Sequence, residues 1–311
     1  PFNMDLSGIE NTGEPEYDFL GFKVYTPFGI PAGPLPTAKH TNAAFKLGYD
    51  VVVYKTQRTV PFKGNEFPHI LSLKLDGDLT MEKASGQLVG DQNYPEDISK
   101  LTITNSFGMP SYGPDFWVDD LQKAIKGAGK GQLLIMSVVG TIQEGFTPDE
   151  YYNDFAYGAK LAADAGAPVI EVNLSCPNVA TEGVLCYSKD SVLEICKRVK
   201  AVIGDVPLLI KIGYYTPAQQ EVLEEIVDAV VPYVAGISSI NTIAAAIVDE
   251  NGNQALKGEG RLKSGCCGAG IRWAGLEMTK RLDDIRKRKG YDFKIVGVGG
   301  VVTPEDYKHY I

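Results

Sequence analysis

Short apolar runs recur along this 311-residue chain, each closed by a polar residue or a glycine and followed by a helix-like stretch. Runs of this length, bounded by turn signals, fit strands buried on both faces. The second to seventh are Tyr49 to Thr56 (with Val51-Val-Val-Tyr-Lys-Thr56), Leu133 to Gly140, Pro168 to Asn173, Pro207 to Gly213, Val234 to Thr242 and Phe293 to Gly300. A first strand ends at Ala32-Gly33, led in by a hairpin within Lys23 to Pro34. Helices read from about Thr41 to Leu47, Asp115 to Lys126, Thr147 to Ala165, from Asp190, from Thr216-Pro, from Trp273 to Lys289 and from Thr303-Pro. Thr147-Pro-Asp-Glu150 carries a cap, a first-turn proline and two acids at the positive end of the helix dipole.

Strand–helix alternation of this kind means an α/β fold with a parallel sheet. An open sheet gathers its site at one switch point, whereas a closed barrel gathers it from every strand end. Here Lys55, Asn173, Lys211, Asn241 and Gly299 fall at successive strand ends. We therefore expect a TIM (β/α)8 barrel forming one domain over residues 1–311. Seven strands are counted where closure needs eight, so the last strand–helix unit is expected to be missing from this chain. Residues 1–20 read as an N-terminal arm. Residues 57–114 form a long connection rich in Gly, Pro and Asp, the kind that usually carries function.

A net charge of −9 with no basic run argues against nucleic acid and anionic membrane surfaces as partners. No apolar stretch approaches a membrane span, and Pro1-Phe-Asn-Met-Asp-Leu6 is no signal peptide. The five cysteines show no C-x-x-C spacing, which argues against zinc or iron–sulfur ligation and fits a reducing cytoplasm.

The chemistry concentrates in Asn173-Leu-Ser-Cys-Pro-Asn178, where a buried strand ends in amides and a thiol. Cys176 can move a proton as thiolate, and the amides can grip a planar polar ring. The bland alternative is a core cysteine in an ordinary turn, which this context disfavours. Lys55 and Lys211, each behind an apolar run, suit either an electron-rich ring such as a reduced flavin or a structural ion pair. Gly299-Gly300 before Thr303-Pro-Glu-Asp306 offers free N–H groups for a phosphate, or simply a tight turn. Gly265-Cys-Cys-Gly268 could add donors or pack as small residues. His69 reads as solvated or core-satisfied.

Asn173-Leu-Ser-Cys-Pro-Asn178 resembles the active-site motif of the class 1, cytosolic dihydroorotate dehydrogenases, whose base is a cysteine. Tyr54-Lys-Thr56, Asn105-Ser-Phe-Gly-Met-Pro110, Ile210-Lys-Ile212, Ser239-Ile-Asn-Thr242 and Gly297-Val-Gly-Gly300 follow in the family's order. The barrel domain of dihydropyrimidine dehydrogenases is similar too, with His where this chain has Asn178. The resemblance implies an FMN-dependent oxidoreductase of pyrimidine biosynthesis, usually a homodimer, turning dihydroorotate into orotate. Carried over residue by residue, Cys176 would take the C5 proton while hydride passes from C6 to flavin N5. Asn105, Asn173, Asn178 and Asn241 would hold the ring. Lys55 with Phe107, Gly108 and Met109 would receive the carboxylate. Lys211 would sit at the flavin's N1–O2 edge. Ala32, Gly33, Thr56, Thr242, Gly265, Gly268, Gly299 and Gly300 would line FMN, with Lys55 and Asn173 touching it as well. No metal is implied.

Fumarate or another acceptor, or a partner subunit with NAD chemistry, would then reoxidise the flavin. The loop Val179 to Val184 departs from class 1A in lacking its Gly-Lys-Pro, and His69 stands where that subgroup has arginine. The alternatives are a dihydropyrimidine (uracil or thymine) dehydrogenase-like enzyme, a lapsed binding barrel, and a flavin-free aldolase or isomerase using Lys211.

Overall fold

The apolar runs become the strands of one curled parallel sheet. In the computed structural model, which describes residues 8, 11–175 and 185–311, these are β1 (Gly29–Ile30), β2 (Val51–Gln57), β3 (Leu133–Val138), β4 (Val169–Asn173), β5 (Leu208–Ile212), β6 (Gly236–Ser239) and β7 (Lys294–Gly297). They pair in sequential order, every neighbour parallel, as in the expected TIM barrel. Among the described residues β1 and β7 do not pair with each other. Each strand is followed by its helix: α1 (Ala38–Lys46), α2 (Pro114–Gly127), α3 (Pro148–Asp164), α4 (Lys189–Ile203), α5 (Gln220–Val230), α6 (Arg272–Lys289) and α7 (Pro304–Lys308). The expected cap of α3 is present as a reciprocal box. Thr147 Oγ1 accepts from Glu150 N–H (3.2 Å), and Glu150 Oε2 accepts from Thr147 N–H (2.7 Å).

Alternation along the strands splits the core in two. Val52, Tyr54, Leu134, Met136, Ile170 and Val172 face the helices and pack with Trp117, Leu121 and Phe155. Val53, Leu133, Ile135, Val169 and Leu209 face the barrel interior as a separate cluster, joined there by Val24, Phe19, Leu20 and Phe22. Those last four belong to a hairpin, Tyr17–Phe19 with Phe22–Val24, that plugs the end where the strands begin. The hairpin thus lies earlier than residues 23–34, where the sequence suggested it, and takes in the end of the expected N-terminal arm. Its two-residue turn, Leu20-Gly21, has φ of 58° and 86°, the twist that matches a hairpin. Leu at a left-handed position hides the signal.

The long connections differ most from expectation. Residues 57–114 contain the strands Ile70–Leu73, Gln87–Asp91 and Thr102–Asn105, and the stretch after β6 contributes Ile243–Val248 and Lys263–Gly268. These five close into a small barrel of their own. The glycine-rich stretch 258–270 is therefore partly a strand, Lys263–Gly268. Gly265 pairs with Asn105, and a Cβ there would meet Thr242 Oγ1 at 2.3 Å. Glycine at that point reflects close packing inside a sheet.

Phe155 of α3 is fully buried against Gly140, where an added Cβ would meet its ring at 2.4 Å. Phe155→Ala should destabilise the protein by about 3–5 kcal/mol, whereas the 76% exposed Phe67→Ala should change stability by less than about 0.5 kcal/mol. Urea midpoints of the two variants check this.

Candidate active site

At the C-terminal ends of the strands the barrel interior changes from apolar to polar. Above Val53, Ile135 and Leu209 come Lys55, Ser137, Glu171 and Lys211, and a cavity of about 800 Å³ is lined by all of these but Ser137. One irregularity in β2 shapes it. Tyr54 pairs with Met136 and Gln57 with Val138, so β2 carries one extra residue. A bulge re-aims side chains, and here the consecutive Lys55 and Thr56 both line the cavity.

The polar groups form a connected chain. Glu171, 2% exposed, accepts from Ser137 Oγ (3.0 Å), which lies 3.0 Å from Thr56 Oγ1. Asn173 Nδ2 reaches Thr56 Oγ1 (3.4 Å), and Asn173 Oδ1 accepts from Asn241 Nδ2 (3.2 Å) and Ser175 N–H (3.2 Å). Such bonds orient the amides and leave their remaining capacity directed at the space above. Lys55 Nζ donates to Gly33 O (2.9 Å) and lies 5.1 Å from the centroid of the Phe107 ring. Asn105 Nδ2 lies 3.8 Å from Cys267 Sγ on the neighbouring strand. Burial pushes the Lys211 pKa down, and the nearby Glu171 carboxylate opposes that. Burial likewise raises the Cys267 thiol.

Ala32, Gly33, Lys55, Thr56, Asn105 and Phe107 line this one cavity, as do Gly108, Met109, Asn173, Lys211 and Asn241. Thr242, Gly268, Gly299 and Gly300 also line it, whereas Gly265 does not. Cys176 and Asn178, with the loop 179–184, lie outside the described residues. Glu171, Ser137 and Cys267 are members the sequence reading missed. Alternation from Asn173 back to Glu171 points both the same way, which was the available signal.

Several features fit a bound polar ring with a phosphate. The Thr242 hydroxyl, on the cavity wall, is buried with no partner among the described residues, a state that is costly unless something meets it. Gly299 and Gly300, at φ of 136° and 65°, hold a backbone that a side chain would strain. A Cβ on Gly300 would meet Gly268 O at 2.9 Å, so the two glycine segments are pressed together.

The family model for dihydroorotate dehydrogenase matches residues 92–311, more than half of the chain. A dihydroorotate dehydrogenase of Dictyostelium discoideum is 35% identical over 94% of this chain and 80% of its own length. The catalytic subunit of a dihydroorotate dehydrogenase B (NAD(+)) of Alkaliphilus metalliredigens is 30% identical, over 51% of this chain and 49% of its own. In structure, the DHODH of Eimeria tenella, solved in complex with ferulenol, superposes with a TM-score of 0.68 over 94% of this chain and 74% of that one, at 20% identity. The chain thus belongs to the dihydroorotate dehydrogenase family, and with it to the flavin-dependent oxidoreductases.

Proposed function

We propose that this chain binds FMN and oxidises dihydroorotate to orotate, a step of pyrimidine biosynthesis. The observation that carries the reading is the convergence of Lys55, Asn105, Asn173 and Asn241 on one cavity whose wall also holds the buried Lys211. Amide side chains offer a donor and an acceptor together, matching the alternating N–H and C=O edge of a dihydropyrimidine. In this reading Asn178 completes that set. The ammonium of Lys55 and the main-chain N–H groups of Phe107, Gly108 and Met109 receive the substrate carboxylate. Cys176 takes the C5 proton, since a thiolate is the form of cysteine that acts as base.

Bound FMN would supply the two-electron acceptor, its N5 taking the hydride from C6. Lys211 would lie at the ring's N1–O2 edge, where a buried cation gains most from an anionic neighbour. Thr242, Gly268, Gly299 and Gly300 would hold the ring and phosphate, together with Ala32, Gly33 and Thr56. We take residues 1–311 as one FMN-binding domain, cytoplasmic and homodimeric, whose cycle is ping-pong with fumarate as the first acceptor to try. Among the described residues no helix is long and apolar enough to cross a membrane.

Anaerobic mixing of the purified protein with dihydroorotate should bleach the flavin absorbance band. A yellow protein that stays yellow would exclude dihydroorotate, and one that no added FMN colours would exclude the flavin assignment. Cys176→Ser should retain full flavin content and lose about 100-fold or more in the rate of that bleaching at neutral pH. An unchanged stopped-flow rate would remove Cys176 from the mechanism.

A further inference from the structure

Four consecutive carbonyls, from Ser106 to Met109, are all taken by donors from elsewhere in the chain. Ser106 O accepts from Asn65 Nδ2 (3.0 Å) and Arg261 Nη2 (3.1 Å), and Phe107 O accepts from Asn65 N–H (3.0 Å). Gly108 O accepts from Arg58 Nη2 (3.2 Å) and Met109 O from Arg58 Nε (3.0 Å). Among the described residues, nothing accepts from the N–H groups of Phe107, Gly108 or Met109, and all three residues line the cavity. Gly108 and Met109 have φ of 75° and 56°. A left-handed methionine beside a left-handed glycine persists only where the surroundings over-determine it.

Those surroundings are two guanidinium groups. Arg58 and Arg261 are 9% and 8% exposed. Arg58 bridges two adjacent carbonyls through Nε and Nη2, while its Nη1 donates to Thr141 Oγ1 (3.1 Å) and its plane lies 4.7 Å from the centroid of the Phe62 ring. Arg261 holds the other end through Ser106 O and Oγ, and fixes the preceding loop through Glu66 O (2.7 Å) and Pro68 O (3.2 Å). A planar fork can span neighbouring carbonyls in this way, and a lysine ammonium cannot.

We propose that Arg58 and Arg261 are positioning residues for anion selectivity. By engaging the carbonyls of Ser106 to Met109 they present the N–H groups of Phe107 to Met109 to a substrate carboxylate, with two positive charges behind the segment. This rests on the dihydroorotate reading above. It predicts that the arginines set the preference for a carboxylated pyrimidine over the same ring without the carboxylate.

The test is titration of the FMN-loaded protein with orotate and with uracil, each followed by the perturbation of the flavin spectrum. Arg58→Met should weaken orotate about tenfold or more while changing uracil by less than about twofold. Arg58→Lys and Arg261→Lys keep the charge and should lose preference in the same direction, and they stand in if the methionine variant fails to hold flavin. With dihydroorotate as substrate, KM should rise more than kcat falls, as for a lost binding interaction. Variants that keep the wild-type ratio of orotate to uracil affinity, or that weaken both ligands equally, would overturn the role of the arginines and leave the substrate assignment standing. A wild-type protein with no preference for orotate would overturn both.

Discussion

The two-sided burial of seven parallel strands is the constraint from which the rest of this structure follows. Because successive side chains point to opposite faces, each strand serves two environments at once. The outward set meets helices and is mostly apolar. The inward set is apolar only for its first layers, at Val53, Ile135, Val169 and Leu209, where the hairpin residues Phe19 to Val24 close the floor. Above that floor the same inward positions become Lys55, Ser137, Glu171 and Lys211. Site and core are consecutive layers of one column of side chains, so the rigidity of the lower layers is inherited by the upper ones.

A charge such as that of Lys211 can be kept in such a column only if the walls supply compensation. Glu171 provides it across the sheet, and Ser137, Thr56 and the two asparagines carry polarity onward to the cavity. A half-satisfied network of this depth would cost more than an apolar core. The Thr242 hydroxyl, without a partner among the described residues, stands on the cavity wall at the edge of that network.

Much of this was legible in the sequence. Apolar runs such as Leu133 to Val138 are long and bounded, so strand identity and order followed; strand ends pointed to Lys55, Asn173, Lys211, Asn241 and Gly299, and the family resemblance supplied the rest of fifteen lining residues. What escaped was set by tertiary context. The hairpin turn uses Leu20, a residue that does not advertise positive φ. The strands at residues 70–73, 87–91 and 102–105 are short and interrupted by Gly, Pro and Asp; the first pairs with the other two, and those two pair with segments more than 150 residues away. Arg58 and Arg261 could not be read as neighbours of one segment, because only that pairing brings them together.

The small five-stranded barrel has a consequence for how the protein is made. Its walls come from residues 70–105 and 243–268, and Thr102–Asn105 gains one of its two partners only from the second group. Closing such a loop costs chain entropy before any contact repays it, so distant pairings form slowly. On a ribosome the helices and strands up to β5 can pack while the roof of the cavity still lacks two of its five staves. The wall of the cavity is therefore completed late, and a nascent chain stalled before residue 243 would carry Lys55, Asn173 and Lys211 beneath an unfinished roof.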